Sequence, residues 1–310
     1  MQRFASIDLG TNTCNLLIAD YNNNRLETVC LEKRAVMLLK NSVNAKTIAQ
    51  DAVARCLEIV SEYSNLIELH HADVVIANAT SGVRSSDNGA HIVELLKKET
   101  GIGFKILSGS DEAQLIHSGV LRAIEYTDKP MLLLDIGGGS NEFVIFEGET
   151  ILWKKSFDLG ISRLLNMFQL ADPLINNNLI PVFDYIDKVL SELYSEMKLY
   201  NIDTLAGSSG TFETLSSIIR CSNNTSLFHM NRHTISVADF DIVCRKMFTL
   251  NREQRLALEG MEAMRVDLMP LALAFVQHLI QRLHLKHIIH SRYSIKEGAI
   301  FSYIKKHNVE

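Results

Sequence analysis

Two stretches of the chain set an aspartate at the end of an apolar strand and follow it with a turn of small and hydroxyl residues: Asp8-Leu9-Gly10-Thr11-Asn12-Thr13 and Asp135-Ile136-Gly137-Gly138-Gly139-Ser140. Glycine has no Cβ to keep a ligand off the main chain, so such turns can surround phosphate oxygens with N–H donors. A neighbouring carboxylate can hold magnesium, which takes oxygen ligands and shares them with substrate phosphate. Gly10, Thr11, Asn12 and Thr13, with Gly137, Gly138, Gly139 and Ser140, are therefore candidate phosphate ligands, and Asp8 and Asp135 candidate metal ligands. One such turn reads equally well as a plain tight hairpin, which needs glycine too. Two matched copies facing each other would form a clamp for one anion.

A third loop, Gly207-Ser208-Ser209-Gly210-Thr211, runs into a helical pattern from Phe212 to Ile219. Its amides can meet an anion at the helix N-terminus, or the loop is an ordinary N-cap. The histidines of His284-x-x-His287-x-x-His290 and His229-x-x-x-His233 have spacings that suggest metal, but strand alternation puts His287 and His290 on opposite faces, and both groups read as structural or surface side chains.

The elements that must carry these residues follow from periodicity and turn signals. Strands are expected over 3–8, 13–20 and 25–32, a helix over 46–69, a strand over 73–77, a helix over 91–100, a strand over 104–107 and a helix over 111–126. The order then restarts: strands over 131–135, 142–147 and 150–157, helices over 176–200, 236–249 and 270–283, and short strands over 204–206 and 287–290. The two opening aspartates lie about one domain length apart, so an internal duplication is the simplest reading.

With 310 residues, 47% of them hydrophobic and 22% charged, the chain has the make-up of a soluble two-domain protein with filled cores. It has no apolar run of transmembrane length and no signal-like start, so a cytoplasmic location is expected. Cys14, Cys30, Cys56, Cys221 and Cys244 are odd in number and scattered, which suits reduced, mostly buried thiols. A net charge of −5 argues against a nucleic-acid or membrane surface, so an anionic substrate must be gripped locally.

The paired turns resemble those of the actin, sugar-kinase and Hsp70 superfamily, and the whole chain resembles its exopolyphosphatase and guanosine pentaphosphate phosphohydrolase (Ppx/GppA) branch. The motifs that carry the likeness are Asp8 to Thr13, Ser108-Gly109-Ser110-Asp111-Glu112-Ala113, Asp135 to Glu142, Gly207 to Thr211 and Lys296-Glu297-Gly298. The resemblance implies two ribonuclease H-like α/β domains with an interdomain active-site cleft, 1–124 and 125–294, and a final helix of about 295–310 packing back on the first. It implies that Glu112 is the general base, although alone Asp111-Glu112 would read as a solvated acidic helix start. It implies that Asp135 and Glu142 position Mg2+, or Mn2+, and that Arg84 contacts phosphate rather than being a surface arginine at a loop end.

The implied activity is hydrolysis of the terminal phosphoanhydride of inorganic polyphosphate, or of pppGpp to ppGpp. A phosphotransferase of the acetate or sugar kinase type and a non-catalytic polyphosphate or nucleotide sensor are the competing readings. The chain lacks the helical extension of long family members, which implies short to medium substrates, and dimers are common among relatives, which implies a homodimer. It departs from the family pattern in four places. Arg34 to Lys40 has no glycine, Asp111 replaces glutamate, Asn141 replaces threonine, and Ser291-Arg292-Tyr293-Ser294 stands where an aspartate and glycine are usual.

Overall fold

The structure, a computed structural model, describes residues 2–40, 46–124, 129–222 and 231–308. It contains two compact units, Met1–Gly119 with Ser294–Glu310, and Val120–Tyr293. The 124/125 boundary drawn from sequence and the last residues of the 111–126 helix fall at residues outside the described ones, as do His229 and the end of the 295–310 segment. Among the described residues no helix is long and apolar enough to cross a membrane.

The first unit opens with β1 (Gln2–Leu9), β2 (Thr13–Asn22) and β3 (Arg25–Ala35), an antiparallel meander, followed by α1 (Gln50–Leu69), β4 (Val74–Ala79), α2 (Ser81–Arg84), α3 (Gly89–Thr100), β5 (Phe104–Ile106) and α4 (Gly109–Ala123). The sheet order is β3-β2-β1-β4-β5, with β4 parallel to β1 and β5 parallel to β4. Alternation along β1 sends Ala5, Ile7 and Leu9 into a core shared with Val60, Tyr63, Ile92 and Leu96 of α1 and α3. Phe4 points the other way, against Tyr303 of the last helix, with ring centroids 5.8 Å apart.

The second unit repeats the plan. β6 (Met131–Ile136), β7 (Asn141–Glu147) and β8 (Thr150–Phe157) form its meander, followed by α5 (Ile161–Phe168), α6 (Ile180–Val189), α7 (Ser191–Met197), β9 (Thr204–Ser208) and α8 (Ser209–Ser222). Then come β10 (Arg232–Ile235), α9 (Val237–Thr249), α10 (Arg252–Leu256), α11 (Met269–Leu283) and β11 (His287–Ser291); the final helix, α12 (Ile295–His307), belongs to the first unit. The sheet order β10-β11-β9-β6-β7-β8 contains the first unit's order read in reverse, with β10 added antiparallel at one end. Each meander carries a bulge on its third strand. Val29 is passed over between the Ile18–Cys30 and Ala19–Thr28 pairs, and Leu152 between the Ile145–Trp153 and Phe146–Ile151 pairs.

Several boundaries differ from the periodicity. The helix expected over 176–200 is two helices separated at Leu190 and preceded by a 3₁₀ turn at Leu174–Asn176. Val182, Ile186, Leu190, Leu193 and Met197 are all buried, so one apolar stripe runs through the break and hides it from pattern reading. The first long helix begins at Gln50 rather than at 46. Asn88 holds Ile48 by both its backbone groups, through Nδ2 to the carbonyl at 2.9 Å and Oδ1 to the N–H at 3.0 Å, and so keeps the segment extended. The helices α2, α5 and α10 and the strand β10, none of which the periodicity marks, are four to eight residues long.

Candidate active site

In the first unit the turn between β1 and β2 closes with the Gly10 N–H donating to the Thr13 carbonyl at 2.9 Å. Its other carbonyls face a single clamp: Leu38 N–H donates to Thr11 O at 2.8 Å, and Val36 and Met37 N–H groups to Asn12 O at 2.9 and 3.1 Å. The glycine-free 34–40 segment is thus the strap that holds this turn through its main chain, with Met37 in the left-handed region at φ 46°. Gly82 presses on the same turn; a Cβ there would lie 3.0 Å from Thr11 Cα and Oγ1.

Arg84 closes α2, and its Nη1 donates to Glu112 Oε2 at 2.7 Å and to the Leu107 carbonyl at 2.9 Å. Glu112 lies in the first turn of α4, whose N-terminus Ser108 caps through Oγ to the Asp111 N–H at 3.1 Å. Glu112 is buried while Asp111 is exposed, so the helix start presents two adjacent acids to opposite surroundings. The guanidinium restricts the orientation of the Glu112 carboxylate.

In the second unit the turn from Gly137 to Ser140 is held in the same manner by a different element. The N–H groups of Gly160, Ile161, Ser162 and Arg163, at the start of α5, donate to the carbonyls of Gly139, Gly137, Gly138 and Gly138 at 3.0–3.2 Å, and Arg163 Nε adds a bond to Gly139 O at 3.2 Å. A Cβ on Gly160 would stand 2.2 Å from Gly138 O, so this approach requires glycine. With its carbonyls occupied, the turn keeps the N–H groups of Gly138, Gly139 and Ser140 without a partner among the described residues. Asn141, buried, accepts from the Gly137 N–H at 3.2 Å and donates to Leu159 O at 2.7 Å, so the departure at this position ties the turn to the strap behind it.

Strand register lines four residues up across this sheet: Ser208 of β9 opposite Asp135 of β6, Asp135 opposite Glu142 of β7, and Glu142 opposite Ser156 of β8. Asp135 Oδ2 accepts from Ser208 Oγ at 2.7 Å and Ser209 Oγ at 2.5 Å; Glu142 Oε1 accepts from Ser140 Oγ at 2.6 Å and Ser156 Oγ at 2.7 Å. Both acids are buried. Ser209 reaches Asp135 from a left-handed backbone, φ 66°, a conformation non-glycine residues hold only where the surroundings impose it. The corresponding row in the first unit is Asn78, Asp8, Asn15 and Lys33, in which Asp8 accepts from Asn15 Nδ2 at 3.1 Å.

The 207–211 loop has internal reasons for its glycines. A Cβ on Gly207 would fall 2.2 Å from the Phe212 ring, and one on Gly210 would strike the Arg265 guanidinium, itself bonded to Glu262 at 3.2 Å. Thr211 is buried. Sequence reasoning did not single out Ser156, Arg163 or Arg265, since nothing in their immediate neighbours marks them; strand register marks the first, the start of α5 the second and the close approach of Gly210 the third.

Among the described residues the candidate histidines do not form a metal cage. His290 Nδ1 lies 2.8 Å and His233 Nδ1 3.1 Å from Ser216 Oγ, while His287 is exposed and His284 caps α11. Burial pushes the His290 imidazole down to about 3 and lowers that of His233. Among the described residues no three His, Cys, Asp or Glu side chains gather as a cage. The donors at Asp135 and Glu142 are all oxygen, two carboxylates among serine hydroxyls. That set suits Mg2+ or Mn2+, which take one or two carboxylates and complete their shell with water and phosphate oxygens.

Two sheets of one plan, each opening on an aspartate hairpin strapped from behind, define an actin-like α/β protein. The chain matches the Ppx/GppA phosphatase family over residues 17–307 and belongs to it. It is 28% identical over 294 residues to exopolyphosphatase 2 of Mycobacterium tuberculosis, covering 91% of each chain. The crystal structure of an exopolyphosphatase from Cytophaga hutchinsonii superposes with a TM-score of 0.94 at 34% identity, covering 100% of this chain and 99% of that one. The Aquifex aeolicus PPX-GPPA enzyme shares the fold, with a TM-score of 0.80 at 22% identity over 97% of this chain and 99% of that one.

Proposed function

We propose that this chain is a divalent-metal-dependent exopolyphosphatase, with Mg2+ as its ordinary ion and Mn2+ as a substitute. The observation that carries this reading is the row in which two buried acids, Asp135 and Glu142, each take two hydroxyl donors beside a turn whose Gly138, Gly139 and Ser140 N–H groups have no partner among the described residues. The reaction adds water to the terminal phosphorus, breaks its bond to the bridging oxygen and releases orthophosphate and a chain one unit shorter. Glu112 takes the proton of the attacking water, and Arg84, which holds that carboxylate, keeps Nε and Nη2 for a non-bridging oxygen. The N–H groups of Gly138, Gly139 and Ser140, with those at the start of α8, bind further phosphate oxygens, and the Gly10–Thr13 turn is the phosphate-binding candidate of the first unit. Asp135 and Glu142 would hold the cation, and Asp8 is the candidate metal ligand of the first unit; a bound cation would neutralise charge on the transferring phosphoryl group.

Glu112→Gln keeps the shape and removes the base. Phosphate release from a short polyphosphate should fall by about 10²- to 10⁴-fold with KM little changed; unaltered turnover would sink the assignment of Glu112. Parallel assays with pppGpp, and with acetate or a sugar as acceptor, separate this reading from a pentaphosphate phosphohydrolase and from a phosphotransferase.

A further inference from the structure

The proposed function leaves one polar contact in the second sheet without a role. Ser156 sits on β8, the strand at the sheet's edge, directly opposite Glu142, and its Oγ donates to Glu142 Oε1 at 2.7 Å. Ser140 Oγ binds the same oxygen at 2.6 Å from the turn. Two hydroxyls on one oxygen fix the carboxylate's plane from two sides, one anchored in the turn and the other in a neighbouring strand. A carboxylate so fixed can meet a cation in one orientation only. Outer partners that orient a ligand in this way typically govern metal affinity by about 10- to 100-fold.

The duplicated plan supplies a comparison within the molecule. At the four matching register positions the first unit has Asn78, Asp8, Asn15 and Lys33, one carboxylate among amides and an ammonium, where the second unit has serine, acid, acid, serine. The same backbone row thus sets two carboxylates side by side in the second unit and only one in the first. The serine at the outer end of the second unit's row bonds to one of that pair.

We propose that Ser156 is a positioning residue that sets divalent-cation affinity by holding Glu142. The proposal rests on the reading of Asp135 and Glu142 as the cation's ligands. Its test is a titration of the full-length protein with Mn2+ alone, following the electron paramagnetic resonance signal of the free ion, so that no turnover is needed. Ser156→Thr and Ser156→Val have nearly the same shape and differ by the hydroxyl. Ser156→Val should bind Mn2+ about tenfold more weakly than the wild type, and Ser156→Thr within about twofold of it. The Mg2+ concentration that half-saturates phosphate release should rise in Ser156→Val by a similar factor. Equal Mn2+ affinity in the two variants, with only the thermal midpoint lowered in Ser156→Val, would overturn the proposal. A wild type that binds Mn2+ in this hydroxyl-dependent way yet releases no phosphate would count against the exopolyphosphatase reading and support the role of Ser156.

Discussion

His290 is buried between α8 and the sheet, and its imidazole stays neutral far below its ordinary value of 6.5, down to about 3, chiefly because burial penalises the charged form. The unfolded chain takes up a proton near 6.5, whereas the folded chain does not until about 3, so stability is intact above pH 6.5 and drains away as pH falls through that window. This one residue should cost about 2 kcal/mol by pH 5, and His233, shifted the same way, adds to the slope. Urea midpoints at pH 7 and pH 5 check this: His290→Asn should be less stable than the wild type at pH 7, with the gap narrowing at pH 5. A gap that widens would show that another group governs the acid limb. The turn from Asp135 to Ser140 could be picked out from neighbouring residues alone, as could the loop that holds Ser208. The contacts of Ser208 and Ser156 could not, since their hydroxyls meet acids 73 and 14 residues away and only strand register brings them together.

At the scale of elements, the Lys296-Glu297-Gly298 motif gains a physical account. Glu297 and Ser294 form a capping box at the start of α12, and Gly298 lets that helix lie against α4: a Cβ there would stand 1.8 Å from the Leu115 carbonyl. A Cβ on Gly119 of α4 would likewise stand 2.2 Å from the Ser294 carbonyl. Because α4 carries Glu112 in its first turn, Gly298→Ala should displace the helix that holds the proposed base. The expected result is a loss of about 1–3 kcal/mol of stability, with phosphate release lowered beyond the unfolded fraction. Calorimetry and a rate assay on the same sample check it, and an unchanged thermal midpoint would show that the two helices adjust without strain. Strands and long helices were legible because their apolar spacing follows from burial on one face. The short helices α2 and α5 were not, since four to eight residues carry too little periodicity and their ends are fixed by contacts to the turns.

At the scale of the whole molecule, the net charge of −5 means that its long-range field repels a polyanion, so local donors and the cation must do the holding. Raising salt from about 50 to 200 mM at fixed free Mg2+ should therefore leave kcat/KM within about threefold, unlike the drop of several orders of magnitude that follows when many basic side chains contact phosphates. A steep fall would point to a basic track not apparent in the composition. The duplication was the most legible large feature, since Asp8 and Asp135 open identical strand orders; the added strand β10 was not, because four residues at an edge leave little pattern. The four edge strands share one further property. β5 and β10 have three and four residues, and β3 and β8 are kinked by an extra residue at Val29 and Leu152. Neither sheet thus presents a long flat margin on which an incoming chain could template itself, so the protein should resist fibril growth even when crowded.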